Sequence, residues 1–363
     1  MNVSRYWPFA KRVLVTEGPP VHLTLFVTGA CNLRCRHCFH WKEVAAGVPG
    51  PSPEDVDRLA ESASRMGPLL WVSFGGGEPF LREDLPHLAR SFGARGLRHL
   101  AIPTNGLVGR TLESTERILD ENPDMFLSLG VSIDGPEAIH DSIRQVPGGH
   151  AKTLAATEAL LALAKERDNL GVGVILTVTT ENQEVLADHM EELVDRLGPD
   201  NVTINLARTD ALDTSLLGVD PERYRDVIER KRSLLADGRL GYFRFPAAKL
   251  ALARDVEMYE RVEAKARGDE SKYLPCTAGS LSAVIFESGE VRPCEVLGND
   301  ASLGNLNDVD WNFAEIWESE RADRVRAEIR ETRCSCTWEC AQADNVLFRA
   351  RNWPKLLWKV ATT

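Results

Sequence analysis

The chain has no stretch approaching the roughly 18 uninterrupted apolar residues that a membrane-spanning helix requires. Its start, Met1 to Lys11, scatters basic residues around Trp7 and Phe9 without the apolar core of a secretion signal. These absences argue against an embedded or exported protein and make the cytoplasm the expected location. Positive charge is also in deficit: 43 Lys and Arg stand against 54 Asp and Glu, a net charge of −11. Such a balance does not capture nucleic acid by broad electrostatics, so no nucleic-acid partner is expected. Long charge runs and low-complexity tracts are absent too. What remains is a globular chain whose 363 residues, 43% hydrophobic, suffice for one barrel-sized domain and a smaller one.

Cysteine is scarce, and its placement is informative. The eight cysteines fall into two groups of a long chain without a secretion signal, which suits metal ligation in a reducing compartment better than disulfides. The first group, Cys31-Asn-Leu-Arg-Cys35-Arg-His-Cys38, follows the apolar run Leu23 to Val27. Iron-sulfur clusters ordinarily take four thiolates. Three at this spacing can hold three irons of a 4Fe-4S cluster and leave the fourth to a small molecule.

Six strand-like runs pass through the chain: His22 to Val27, Leu69 to Phe74, His99 to Pro103, Phe126 to Ile133, Val172 to Val178 and Val202 to Leu206. Helical patterns fill the gaps. Ser52-Pro53-Glu54-Asp55 reads as an N-cap with proline at the first helical position, followed by the stripe Val56, Leu59, Ala60 and Ala63. Leu85, Leu88 and Phe92 continue the scheme, then Leu154, Leu161 and Ala164, then Val185, Met190, Leu193 and Leu197 with Gly198 as the stop. Strand and helix in alternation imply right-handed crossovers and a parallel sheet, here an open six-stranded β/α barrel with its chemistry at the C-terminal strand ends.

The motifs fall at that rim. The cysteine loop follows the first strand, and Gly75-Gly76-Gly77-Glu78-Pro79 follows the second. Alone, the glycine run is a strand exit, and Ser132 with Asp134 is a turn or cap. Together they resemble the radical S-adenosylmethionine (SAM) superfamily, whose signature is C-x3-C-x2-C. The resemblance implies an α/β fold with a partial (β/α)6 barrel, and a 4Fe-4S cluster on Cys31, Cys35 and Cys38. SAM would chelate the open iron and break to methionine and a 5′-deoxyadenosyl radical that abstracts hydrogen from substrate. It also implies Gly76, Gly77, Glu78 and Pro79 at the methionine amino group, Asn105 at the third strand end, and Ser132 and Asp134 at the ribose and methionine. Arg144 is placed to pair with the SAM carboxylate, and His37 to stack near adenine. Phe39 and Trp41 read as packing residues around the cluster. A flavodoxin or ferredoxin would supply the electron.

Cys276, followed by twelve residues to Gly289 and four more to Cys294, resembles the opening of the SPASM/twitch extension of such enzymes. Ala283 to Phe286, a turn at Glu287-Ser288-Gly289, and Val291 read as a hairpin. Trp311 to Arg330 reads as helical, and Cys334, Cys336 and Cys340 close a small α+β module. Five cysteines match one auxiliary 4Fe-4S cluster, with Cys276, Cys294, Cys336 and Cys340 the favoured ligands. Four thiolates also satisfy tetrahedral zinc.

The expected layout is an N-terminal extension (1–20), the core barrel (21–214), a helical bridge (215–270), the cluster module (271–345) and a basic amphipathic tail (346–363). The bridge patterns, Pro221 to Asp237 and Ala247 to Asp269, read as a connector or a cover on the barrel mouth. The tail is expected to dock back on the protein or to touch a membrane surface. For substrate, the first expectation is a small molecule such as a sugar, aminocyclitol, nucleoside or lipid-linked sugar, because only about 20 residues precede the first strand. A ribosomally made peptide is the alternative. A non-enzymatic iron-sulfur or zinc protein is a third reading, which the Glu78 motif disfavours.

Overall fold

The structure, a computed structural model, describes residues 6–15, 17–208 and 210–362. The first five residues of the expected N-terminal extension lie outside it. Six parallel strands follow one another across a sheet: β1 (His22–Thr28), β2 (Trp71–Gly76), β3 (His99–Thr104), β4 (Phe126–Ser132), β5 (Leu170–Val178) and β6 (Asn201–Leu206). Around them run α3 (Pro53–Met66), α4 (Leu85–Gly93), α5 (Thr111–Glu121), α6 (Glu137–Arg144), α7 (Gly149–Glu166) and α8 (Leu186–Leu197). Two short helices, α1 (Trp7–Ala10) and α2 (Trp41–Ala46), precede them.

Local chemistry explains the helix ends. Ser52 accepts the Asp55 N–H while Asp55 reaches back to the Ser52 N–H, a complete capping box in front of Pro53. Val56, Leu59, Ala60 and Ala63 are then wholly buried, the two larger side chains contributing roughly 1.5–3 kcal/mol each by leaving water. Gly198 ends α8 in the left-handed conformation, as read from sequence. Val185 departs from the expected stripe: it is the N-cap and is exposed.

Burial along the strands alternates, and the inner face is the more accessible one. In β3 the helix-facing Leu100 and Ile102 are fully buried, while His99 and Ala101 keep some accessible surface and Pro103 is exposed, although β4 pairs beside it. Strands β2, β4 and β6 repeat the pattern at Ser73, Ser128, Gly130 and Thr203. The interior is therefore accessible along these strands, whereas β1 is buried throughout and Phe243 and Phe245 pack on Phe126 at the start of β4.

An open barrel leaves the free edge of β6 with unpaired peptide groups, which are costly to bury unsatisfied. Side chains take the place of a seventh strand. The Ile204 N–H donates to the Tyr259 hydroxyl (3.0 Å), the Leu206 N–H donates to Glu339 (2.7 Å), and the Lys231 ammonium donates to the Val202 carbonyl. Lys231 lies on α9 (Pro221–Ala236), Tyr259 on α10 (Ala248–Ala266) and Glu339 on α13 (Glu339–Leu347). The bridge helices thus seal the flank of the barrel through β6, which replaces the expectation of a cover on its mouth.

The cluster module continues the same sheet. β7 (Ser282–Ile285) lies parallel to β1, and β8 (Glu290–Arg292) and β9 (Gly304–Asn305) follow antiparallel, so the expected hairpin is present. Module residues such as Ile285, Phe313 and Trp317 share one core with Leu25 and Leu59 of the barrel. The expected helix from Trp311 to Arg330 is two helices, α11 (Phe313–Trp317) and α12 (Glu320–Glu331), because Ser319 starts a new one by accepting the Ala322 N–H. The expected boundary at residue 345 falls inside α13. Beyond it, α14 (Trp353–Thr362) docks on α10, with Leu356 buried, Lys355 paired to Glu257 (2.5 Å) and Lys359 to Glu260 (3.1 Å). Docking back is the observed fate of the tail, although Leu357 and Trp358 stay exposed. Among the described residues, no helix is long and apolar enough to cross a membrane.

If Tyr259 completes the edge of β6, Tyr259→Phe strands a buried N–H and should cost about 1–3 kcal/mol. A shift in the urea midpoint at unchanged slope is the expected result, and an unshifted midpoint would contradict it.

Candidate functional site

The loops after β1 and β2 are joined backbone to backbone. The Gly77 N–H donates to the Thr28 carbonyl (2.6 Å) and the Glu78 N–H to the Ala30 carbonyl (2.8 Å). A Cβ on Gly77 would lie 2.0 Å from the Ala30 oxygen, and one on Gly76, whose φ is +105°, 2.3 Å from the Thr28 oxygen. These glycines let the cysteine loop come close, an approach of loop to loop that the glycine run did not by itself reveal. Pro79, buried, starts a single 3-10 turn directly after.

Glu78 is 2% exposed and already committed. It accepts from Thr104 (2.9 Å), the Asn105 N–H (2.8 Å) and the Phe80 N–H (3.2 Å). Burial raises its pKa, and the three hydrogen bonds oppose that shift. Asn105 donates to Asn32 inside the cysteine loop (2.8 Å). Loops one, two and three thus form one bonded rim.

Within that rim Cys31, Cys35 and Cys38 sense one another's charge. Burial is the main cause that pushes Cys35 up to about 12 and Cys38 up to about 11, and it raises Cys31 as well. Arg144 is the cation that opposes the shift at all three. At Cys31, Arg34 opposes it as well. Three partly buried thiols whose ionisation burial opposes suit a cationic iron core, which stabilises the thiolate form. The donor set therefore fits the cluster.

Asp134 and Arg144, both expected at SAM, also meet each other. Asp134 is wholly buried and accepts from Arg144 Nε and the second guanidinium nitrogen (both 2.8 Å) and from the Thr177 N–H (3.0 Å). Burial would raise its pKa, but Arg144 and then His37 outweigh it and the net shift is downward. Asp134 thus acts as the anchor of Arg144, while Ser132, the last residue of β4, keeps accessible surface. His37 lies 3.4 Å from Asp134, with burial the main cause that lowers its pKa to about 4, and Nδ1 has no partner.

The distal cysteines form a second group. Cys276 and Cys334 share a hydrogen bond, which raises the former and lowers the latter to about 7. Cys336 feels Cys334, and both Cys276 and Cys294 feel Cys336. The strongest charged neighbours of Cys340 are instead Glu295, Arg208, Glu339 and Asp344. The Cys340 residue itself is exposed. The expected foursome had Cys340 in place of Cys334, whereas the electrostatic neighbours tie Cys334 to Cys276 and Cys336.

Sequence reasoning missed what lies between the groups. Arg208, just past β6, stacks on Trp338 with its guanidinium carbon 3.2 Å from the ring centroid, and pairs with Glu339 (3.3 Å). Phe39 meets Trp338 edge-on, and His40 is held by Glu287 (3.1 Å). Only the sequence Thr-Trp-Glu inside the last cysteine group hinted at it.

An open α/β barrel carrying a thiol triad at its rim and a thiol group beside it defines a class: a protein built to hold iron-sulfur clusters. Residues 25–193 match the family model of the radical SAM superfamily, and residues 276–341 match that of SPASM, an iron-sulfur cluster-binding domain. The chain belongs to the radical SAM superfamily and carries a SPASM domain. It is 27% identical to pre-heme d1 synthase of Dinoroseobacter shibae, the alignment covering 95% of this chain and 86% of that one. It is 26% identical to the antilisterial bacteriocin subtilosin biosynthesis protein AlbA of Bacillus subtilis, over 82% and 61%. The crystal structure of Streptococcus suis SuiB bound to precursor peptide SuiA shares the fold, with a TM-score of 0.64 at 15% identity over 89% and 70%. A radical SAM domain works with a 4Fe-4S cluster and SAM, and a SPASM domain with auxiliary iron-sulfur clusters, which favours iron over zinc for the distal cysteines.

Behind Asp134 stand three histidines, His140 on α6, His150 on α7 and His189 on α8, with ring centroids 5.4 and 5.8 Å apart. His140 Nδ1 accepts the Asp134 N–H (3.2 Å), and burial is the main cause that lowers its pKa to about 4. The unfolded chain takes up that proton near pH 6.5 and the folded one only near 4, so the stability is complete above 6.5 and is lost as pH falls toward 4. Between pH 7 and 5 the loss should be roughly 1–2 kcal/mol. Urea unfolding of wild type and His140→Gln at both values checks this: the variant should fall less steeply, and equal slopes would contradict the assignment.

Proposed function

We propose that Cys31, Cys35 and Cys38 hold the SAM-cleaving 4Fe-4S cluster and that the enzyme acts on a ribosomally made peptide. The observation that supports the first part is the bonded rim, which carries the loop of the three cysteines, with Arg144 acting on each of them. When bound, the cluster supplies one electron to the SAM sulfonium, whose carbon-sulfur bond breaks to leave a radical able to take hydrogen from substrate. The residues of the chain do the rest. Arg144, fixed by Asp134, meets a carboxylate. Glu78 keeps its clasp on Thr104 and Asn105 while lone pairs that these bonds leave over meet an ammonium. Gly76 and Gly77 hold the loops in register. Asn105, Ser132 and His37 line the nucleotide side, and the accessible barrel interior admits the reacting part of the substrate.

Cys276, Cys294, Cys334 and Cys336 hold the auxiliary cluster in this proposal, and Cys340 is the spare. A flavodoxin or ferredoxin serves as reductant. The peptide reading rests on AlbA and on the fold shared with peptide-bound SuiB. Neither these two nor pre-heme d1 synthase supports a sugar, aminocyclitol, nucleoside or lipid-linked substrate. A tetrapyrrole is the second reading, favoured by the alignment with pre-heme d1 synthase over nearly the whole chain.

The test is 5′-deoxyadenosine formation by the dithionite-reduced holoenzyme. Cys35→Ala should abolish it, and normal formation by that variant would sink the cluster assignment. Stimulation of the wild type by short peptides encoded beside its gene supports the main reading. Stimulation by tetrapyrroles alone would replace it with the second.

A further inference from the structure

The outer edge of the distal cysteine group is crowded with positive charge in a chain whose net charge is −11. Tyr273, three residues before Cys276, is the hub. The Arg333 guanidinium lies 4.5 Å from its ring centroid, and Arg351 donates to its carbonyl (3.0 Å). Arg349 donates to the Pro275 carbonyl (3.2 Å) and acts on the Cys276 thiol, while Lys265 acts on Cys334. Lys265 is paired with Glu270, and Arg261, also close by, with Glu257 (2.9 Å).

Arg333, Arg349 and Arg351 have no carboxylate partner among the described residues, and Arg351 repels both Arg349 and Arg261. Arg333 and Arg351 are exposed and Arg349 is half-buried. Carbonyl groups fix Arg349 and Arg351, and the Tyr273 ring fixes Arg333, without neutralising them. Along α9 and just beyond it the arginines are instead paired: Arg223, Arg225, Arg230, Arg232 and Arg239 all contact carboxylates. A fixed, uncompensated positive patch over redox-active thiols calls for an anionic partner that exchanges electrons.

We propose that Arg333, Arg349 and Arg351 form the docking surface for a small acidic one-electron carrier protein, which meets the chain at the outer edge of the distal cysteine group. This rests on the reading that those cysteines hold an auxiliary cluster. With flavodoxin as the carrier, one electron leaves its flavin hydroquinone, which becomes the semiquinone, and enters the cluster. No bond forms or breaks.

Binding of flavodoxin to the holoenzyme, measured at low and at moderate ionic strength, tests the surface directly. Wild-type affinity should fall as salt rises. The double variant Arg333→Glu/Arg351→Glu should bind about tenfold more weakly or worse, with iron content and dithionite-driven 5′-deoxyadenosine formation unchanged. Lys42→Glu, a reversal beside the other cysteine group, should bind as wild type does. Undiminished binding by the double variant, or a loss caused by Lys42→Glu alone, would overturn the proposal. Wild-type enzyme that makes no 5′-deoxyadenosine with dithionite would defeat the proposed function, whereas the docking surface is judged by the binding data.

Discussion

The rest of the site depends on two backbone hydrogen bonds, Gly77 to Thr28 and Glu78 to Ala30. They close the gap between the loops after β1 and β2, and they need chain without side chains at that approach. Once closed, they place Glu78 under the third loop, where its carboxylate gathers Thr104 and Asn105, and Asn105 returns to Asn32 of the cysteine loop. Each member holds the next, so the three thiols are presented by a lattice of protein bonds. A carboxylate buried at 2% exposure is expensive unless satisfied. Here that satisfaction and the positioning of the cysteine loop come from the same contacts.

The second constraint is the open barrel. Six strands leave an accessible interior and a raw edge at β6, and both have consequences for chemistry. The interior gives substrate a place; the edge is closed by Tyr259, Lys231 and Glu339. Glu339 also pairs with Arg208 and directly precedes Cys340, so the contact that finishes the sheet also fixes the chain beside the last cysteine. On the other side, β7 fastens the same module to β1, and the His22–Asp344 contact (2.9 Å) ties the start of β1 to α13. The module is joined to the barrel at both margins.

Much of this was legible in the chain. Apolar runs bounded by turn residues locate the six strands, since each must be buried on its helix-facing side whatever the ligand. The capping box at Ser52 and the stop at Gly198 are local devices that need no tertiary context. The cysteine spacings and the Gly-Gly-Glu run located the rim for the same reason. Less legible was what those rim residues touch. Spacing cannot show that Gly77 faces Ala30, that Asp134 is occupied by Arg144, or that Cys334 sits against Cys276. These are contacts between residues from 10 to nearly 60 positions apart, set by how loops cross after the strands have formed. The pairing of β7 with β1 was hidden likewise, because a four-residue strand carries no mark of its partner.

The central claim is that the bonded rim presents the thiol triad, and Gly77→Ala tests it with all eight cysteines intact. Iron and sulfide should be quantified anaerobically on the reconstituted wild type and variant. Wild type should hold about eight irons per chain, two 4Fe-4S clusters, and Gly77→Ala about four, with the SAM-responsive electron paramagnetic resonance signal lost. A variant that retains about eight irons and that signal would show that the triad assembles its cluster without the rim.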